Sequence, residues 1–440
     1  MSERRKVLEL FEEQKDYYED RVKNGIENNR KGWCEFEIYD EKNRKNCGNL
    51  HITVKQKNHE FKYGANLFML DEFENEEKNE KYKKYFAEAF NMATLPFYWS
   101  DLEPERGKAR YDKNSPKVYR RPAPDLCIEY CKKNGIEPRE HALAYCSFFP
   151  SWIDADNSES IKRDLEKRYK EIAERYADKI PTIEVTNETW WDSYLNALYN
   201  ENDFVEYCFK LAEKYFPKNM LGINEWAGIW EEQGRNRDKY YMQIERALKN
   251  GARIDAVGMQ YHMFFRSEDE YNATRKFYNP SHLYKILDRY SDFGLPIEIT
   301  EITIPAYSDS EEDEQIQAEI IKKLYSLWFS HENVEHIIYW NLVDGYAAFA
   351  PQGDMQSGEN YYRGGLFRFD FTPKPAYYVI KDLFEKEWRT NTEIVSYKNG
   401  IGRFKGFYGE YELEFEYDGK KYTKTFNFSK HGNNKFKIIL

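Results

Sequence analysis

Two short stretches carry side chains that could do chemistry together. Ile183-Glu184-Val185-Thr186-Asn187-Glu188 and Ile297-Glu298-Ile299-Thr300-Glu301 are apolar or β-branched runs that each end on a carboxylate. A strand that stops on Glu carries that side chain out of the packed core and into whatever cleft lies at its end. Two such carboxylates, 113 residues apart in sequence (301 − 188), suit acetal chemistry. One protonates a leaving oxygen, and the other attacks or stabilises an oxocarbenium-like carbon. Glu298 is the rival carboxylate of the second stretch and is expected to share Glu301's side of the strand as an inward partner. Asn187 before Glu188 and the aromatic Thr189-Trp190-Trp191 after it favour a reactive role over a plain surface carboxylate.

The elements that must position them follow from periodicity. Between residues 60 and 388 strand-like segments recur at 60–66, 89–95, 139–145, 181–187, 219–224, 254–260, 296–301 and 335–340. The stretches between are long enough for helices, and Ile161 to Tyr176 and Glu311 to Phe329 carry helical periodicity. Eight strands alternating with helices predict an α/β fold of the (β/α)8 TIM-barrel type, with its active site at the strands' C-terminal ends. Glu188 then closes the fourth strand and Glu301 the seventh. Both chain ends read differently. Residues 3–30 predict one helix, and 34–39 with 50–55 alternate with period two, which predicts a hairpin. Residues 411–417 and 422–426 flank an Asp418-Gly419 turn, and 436–440 adds a last strand. Neither end has enough strands to stand alone, so residues 1–59 and 389–440 are expected to pair into one small β-sandwich-like module beside the barrel at 60–388.

Composition narrows the function classes. The net charge of −11 has no basic block to offset it and argues against nucleic acid. No run of 18 apolar residues occurs, so no membrane span is expected. Six scattered cysteines show no framework spacing, and Cys127 and Cys131 are a weak i, i+4 pair without partners for a metal. Free thiols imply a reducing, cytoplasmic setting, or a secreted one had a leader been trimmed. No phosphate loop, dinucleotide motif or metal cluster stands out, and two-carboxylate chemistry needs no cofactor. Aromatic residues make up 17% of the chain, enough to supply both a core and flat platforms for sugar rings.

At these residues the chain resembles glycoside hydrolase family 10, the retaining endo-β-1,4-xylanases. Thr186-Asn187-Glu188 resembles that family's acid/base motif and Ile299-Thr300-Glu301-Ile302 its nucleophile motif. Gly258-Met259-Gln260-Tyr261-His262 is similar to the strand-six motif, and His141 opens the His-Ala-Leu-Ala-Tyr segment. Asn224-Glu225 and Trp340 fall at family positions, and Gly402 to Gly409 is similar to the tail of the plant-type branch. The resemblance implies Glu188 as acid/base and Glu301 as nucleophile, kept ionised and oriented by His262 and Gln260. It implies sugar contacts from Asn187, His141 and Asn224, walls from Trp340 and Trp99, and a polysaccharide or oligosaccharide substrate, foremost xylan or xylo-oligosaccharides. The chain departs from the pattern where the family has a Lys, here Tyr98, and where it has a Trp-His pair, here Tyr145-Cys146. Those changes point to altered sugar contacts and admit a different or decorated β-glycan. A carbohydrate-binding protein without turnover is the alternative from another class.

Overall fold

The computed structural model describes residues 4–191, 194–231 and 235–440. Strands are numbered in chain order. The first three are β1 (Lys31–Asp40), β2 (Lys45–Asn46) and β3 (His51–His59). Next come β4 (Lys62–Asn66), β5 (Met92–Pro96), β6 (Glu137–His141), β7 (Thr182–Asn187), β8 (Met220–Glu225), β9 (Ala256–His262), β10 (Ile297–Thr303) and β11 (Val334–Tyr339). The last five are β12 (Asn391–Val395), β13 (Ile401–Phe407), β14 (Gly409–Tyr417), β15 (Lys420–Phe428) and β16 (Lys435–Ile439). The chain divides into two units: residues up to 14 with 63–321 and 333–377, and residues 15–62 with 322–332 and 378–440.

In the first unit, β4 to β11 close into a barrel in the order β10-β11-β4-β5-β6-β7-β8-β9. Every residue of β7 and β10 is buried, as parallel strands covered on both faces must be. Helices such as Glu76–Ala89, Ser158–Tyr176 and Pro280–Tyr290 run between the strands. Their starts follow from local chemistry. Asn75, Asn157 and Asn279 each accept a hydrogen bond from the backbone N–H three residues on, which satisfies a donor the first turn leaves unpaired.

Register irregularities matter for the site. The pairing of β10 with β9 shifts between Ile299 and Glu301, and that of β7 with β8 shifts between Glu184 and Thr186. In a regular strand, residues three apart face opposite sides. The extra residue resets the phase, so Glu298 and Glu301 both reach inward, as do Glu184 and Asn187. The expectation that Glu298 and Glu301 share a side holds, but a bulge produces it and simple alternation would not.

The second unit is built from both chain ends. One sheet has the order β13-β1-β16 with β2 on β1, and the other β12-β3-β14-β15. Alternation on β1 and β14 points Cys34, Phe36, Ile38, Tyr411, Leu413 and Phe415 into a shared core with Ile52, Val54, Phe404 and Phe428. The expected hairpin between 34–39 and 50–55 does not form. β1 pairs with β13 and β16, whereas β3 pairs with β12 and β14 in the other sheet. Period-two alternation fixes which face of a strand is buried but not its partner. The hairpin over Asp418-Gly419 does form, with β14 and β15 in unbroken antiparallel register. The single helix expected over 3–30 is interrupted: a 3₁₀ turn at Arg4–Leu8, helices at Glu9–Glu13 and Lys15–Gly25, and a π turn at Ile26–Arg30.

Candidate active site

Glu188 and Glu301 open onto one cleft of about 1160 Å³ at the C-terminal ends of the barrel strands, together with Asn187, Gln260, His262, Tyr98 and Trp340. That volume exceeds the usual small-molecule pocket and suits several linked rings.

A chain of amides ties the two carboxylates together. Asn224 Nδ2 donates to Glu301 Oε1 at 3.1 Å and to Asn187 Oδ1 at 3.0 Å. Gln260 Nε2 donates to the same Asn187 oxygen at 3.2 Å and to Glu188 Oε1 at 2.9 Å. The Thr300 hydroxyl donates to Asn224 Oδ1 at 2.7 Å and fixes that amide's orientation. Gly258 makes room for it: a Cβ there would lie 2.6 Å from Asn224 Oδ1 and 2.8 Å from Ile223 O. Because Asn187 Oδ1 is taken up by two donors, its Nδ2 is left to face the cleft. Gln260, expected beside the nucleophile, therefore serves Glu188. The amide that reaches Glu301 is Asn224.

Glu188 leaves β7 with φ +50°, a left-handed conformation that costs a side-chain-bearing residue about 1 kcal/mol or more. Its own N–H bonds to Asn224 O at 3.1 Å, which holds that turn. The Tyr145 hydroxyl donates to Glu188 Oε2 at 2.6 Å, and the Trp191 indole donates to the same oxygen at 3.0 Å. Trp191 stacks on Trp226 with ring centroids 5.6 Å apart. Tyr145 stood out in the sequence only as a departure from the family pattern and Trp191 only as an aromatic neighbour of Glu188, because nothing in spacing says that a phenol or an indole turns back onto the acid.

Glu301 is buried at the base of the cleft. His262 Nε2 lies 3.2 Å from Glu301 Oε2, and its Nδ1 lies 2.9 Å from the Thr303 hydroxyl. Burial pushes the His262 pKa down to about 4, so the ring is neutral. With Thr303 as donor to Nδ1, the proton rests on Nε2 and is given to Glu301. Burial is also the largest influence on Glu301 and pushes it up to about 8. His141 works against this, and the like charges of Glu184 and Glu188 add to it.

Behind Glu301 runs a file of paired polar side chains inside the barrel. His141 Nδ1 meets Glu184 Oε1 at 2.8 Å, and Glu184 Oε2 pairs with Arg139 Nη1 at 2.7 Å. Arg139 Nη2 pairs with Glu298 Oε2 at 3.0 Å, and Glu298 Oε1 with His336 Nδ1 at 3.0 Å. The near end of the file is His141 Nε2, 4.0 Å from Glu301 Oε1 and 3.0 Å from the Tyr98 hydroxyl. Burial disfavours the charged imidazole, but Glu184, by charge and hydrogen bond, and then Glu301 outweigh it, so His141's pKa is raised. Glu298 is likewise held at about 2, because His336 and Arg139 together overcome its burial. Glu298 is thus the inward partner the sequence suggested, with a charge-balancing place in the lumen.

The remaining expected residues divide. Trp340 and Tyr98 line the cleft, with Phe68 packed between them at centroid distances of 5.0 and 5.8 Å. His141 and Asn224 are buried behind the wall, where they touch Glu301. Trp99 is not a cleft residue. It is 2% exposed, donates to Glu103 Oε2 at 2.9 Å and packs against Phe149 and Trp152. Its indole completes the hydrophobic packing of the loop, as a large aromatic usually does. Cys146 is a small buried group, its thiol pushed far up by burial, and no cluster of metal-ligating side chains occurs among the described residues. Arg120, which sequence reading missed, reaches the cleft 5% exposed. One guanidinium nitrogen is held by Tyr346 O, and among the described residues no carboxylate pairs with it. Burial lowers its pKa, opposed first by the charge of Glu359.

A closed parallel barrel that carries two carboxylates on one cleft at its C-terminal rim is the architecture of a glycoside hydrolase. Residues 55–383 match the model of glycosyl hydrolase family 10, and the chain belongs to that family. It is 23% identical over 350 residues to endo-1,4-beta-xylanase B of Thermotoga neapolitana, covering 77% of this chain and 90% of that one. It is 24% identical over 419 residues to the anti-sigma-I factor RsgI6 of Acetivibrio thermocellus, covering 93% of this chain but only 48% of that protein. Among solved structures, xylanase 10B of Thermotoga petrophila in complex with xylobiose superposes with a TM-score of 0.60 at 22% identity, covering 74% of this chain and 95% of that one. At that identity the superposition speaks for the fold.

No helix among the described residues is long and apolar enough to cross a membrane.

Proposed function

We propose that this chain is a retaining endo-β-1,4-glycosidase acting on xylan or xylo-oligosaccharides by double displacement. The observation that carries the proposal is the amide relay from Glu301 through Asn224, Asn187 and Gln260 to Glu188, which holds both carboxylates at one cleft. Glu301 attacks the anomeric carbon and forms a glycosyl ester while Glu188 gives its proton to the leaving oxygen. Glu188 then takes a proton from water, which attacks the anomeric carbon on the face the leaving group vacated and breaks its bond to Glu301, freeing the carboxylate. Asn187 Nδ2 donates to a hydroxyl of the sugar at the cleaved bond. Trp191 and Trp226 stand beside the acid as a platform for the departing sugar. Burial favours the proton on Glu301, whereas the chemistry needs it on Glu188. His141 by charge, and His262 and Asn224 by hydrogen bonds, favour the ionised form of Glu301 that attacks and work against that burial.

The xylan reading draws on relatives named xylanases, in Thermotoga neapolitana and Dictyoglomus thermophilum. Release of reducing ends from xylan, abolished in Glu301→Ala, tests it. Turnover of another β-glycan in place of xylan refutes the substrate, and binding without turnover refutes the enzyme in favour of a carbohydrate-binding protein without turnover. A second reading concerns decoration. Arg120 places an unpaired guanidinium in the cleft wall near Tyr98, where a carboxylate-bearing sugar branch would neutralise it. Arg120→Gln should then lower kcat/KM on glucuronate-decorated xylan and leave unsubstituted xylan unchanged.

A further inference from the structure

A second aromatic site lies on the β-sandwich unit. Alternation along β1 buries Cys34 and Phe36 and leaves Trp33 and Glu35 on the outer face. A tryptophan 68% exposed on a regular strand is unexpected, and Tyr397 beside it is 59% exposed. Both line a depression of about 670 Å³ with Glu35, Arg403, Asn433 and Lys435. Among the described residues the Trp33 indole has neither a ring contact nor a hydrogen bond, so its place in the sandwich does not account for its exposure.

The polar groups around the rings tell which ligand fits. Arg403 stands opposite Glu35 in register, and its Nε donates to Glu35 Oε2 at 2.6 Å, with Nη2 on the same oxygen. A site built for an anion would leave that guanidinium unpaired; here Glu35 balances it, and the carboxylate's other oxygen lies 3.9 Å from the Nζ of the exposed Lys435 at the rim. The loop on the other side is fixed by Glu35 N–H donating to Asn434 O at 3.0 Å and by Asn434 Nδ2 donating to Ser429 O at 2.9 Å. Two exposed rings flanked by held, planar donors and acceptors suit a neutral ring with apolar C–H faces and hydroxyl edges.

We propose that the Trp33–Tyr397 depression is a second glycan-binding site, which takes a neutral β-linked oligosaccharide and holds polymer on the protein without taking part in cleavage. The glycan class rests on the reading of the barrel as a β-1,4-glycosidase; the existence of the site does not. The test uses the full chain carrying Glu301→Gln, so that bound polymer is not cut, and reads retention by soluble xylan in affinity electrophoresis. Trp33→Ala should weaken retention about 3- to 10-fold, as should Tyr397→Ala, while Trp33→Phe keeps most of it. In the active chain, Trp33→Ala should leave the melting temperature and kcat/KM on a short aryl β-xyloside unchanged but slow the attack on insoluble xylan. Retention by xylan that Trp33→Ala does not change overturns the site, and equal retention by an anionic polymer overturns its neutral character. Loss of retention on a different neutral glycan in Trp33→Ala, with xylan never bound, upholds the site and instead overturns xylan as the substrate.

Discussion

His141 gives the sharpest handle on the chemistry, because it acts on Glu301 through charge without lining the cleft. Its Nε2 lies 4.0 Å from Glu301 Oε1, and against the burial that opposes it Glu184 favours the ring's charged form. His141→Asn removes the cation and leaves a side chain that can still bond to Glu184. At 4 Å a unit charge is worth about 1 kcal/mol in water and about 4 kcal/mol at an effective dielectric near 20. Glu301, already held up near 8 by burial, then ionises less readily, and the freed charge of Glu184 acts in the same direction. The population with Glu301 ionised should fall roughly 5- to 1000-fold at neutral pH. The assay is kcat/KM on an aryl β-xylobioside across pH 5 to 10. A good leaving group reduces the need for Glu188 as acid, so the profile reports mainly Glu301. We expect the acid limb of the parent to lie well above the ordinary carboxylate range. In His141→Asn it should move to higher pH by about 1 to 3 pH units, with activity partly recovered by alkali. A limb that stays put, or moves to lower pH, refutes the assignment of His141 as the cation that keeps Glu301 ionised.

Two further outcomes test the frame around the site. Gly258→Ala puts a Cβ 2.6 Å from Asn224 Oδ1 and 2.8 Å from a backbone oxygen. It should cost about 1–3 kcal/mol of stability by chemical denaturation and lower kcat more than it raises KM, because the displaced amide holds Glu301. Glu225 is pushed up to about 8, chiefly by burial, so the folded chain binds a proton there that the unfolded chain has lost. Stability from this group is present below about pH 4.5 and is lost as pH rises through 8. Glu225→Gln keeps the acceptor for Thr189 and should raise the melting temperature at pH 8 more than at pH 5. An equal gain at both pH values contradicts the burial account.

Much of the frame was readable from residues alone, and the reasons differ by element. The order of the eight barrel strands followed from apolar runs spaced by helix-length segments, a local signal. The two carboxylates followed from their place at strand ends. What escaped was long-range. The pairing of β1 with β13 and β16 joins residues more than 350 apart in sequence, and alternation carries no information about partners. The bulges in β7 and β10 are local, yet no residue type marks them, and they alone bring Glu184 and Glu298 into the lumen beside the functional ends of their strands. The file from His336 to His141 draws on four strands, so no single segment reveals it. Trp99 misled because a cleft tryptophan and a core tryptophan are the same residue in sequence; its bond to Glu103 decides between them. Tyr145 lay in a segment that departed from the family pattern, and a departure says what is missing but not what the replacement does.

The most direct measurement is covalent capture. A 2-deoxy-2-fluoro β-xylobioside with a good leaving group slows both steps, the second more, and traps the glycosyl ester for peptide mapping by mass spectrometry. The account predicts one sugar ester on Glu301 and, with natural substrate, a product of retained anomeric configuration. An ester on Glu188 or Glu298, or an inverted product, would contradict it.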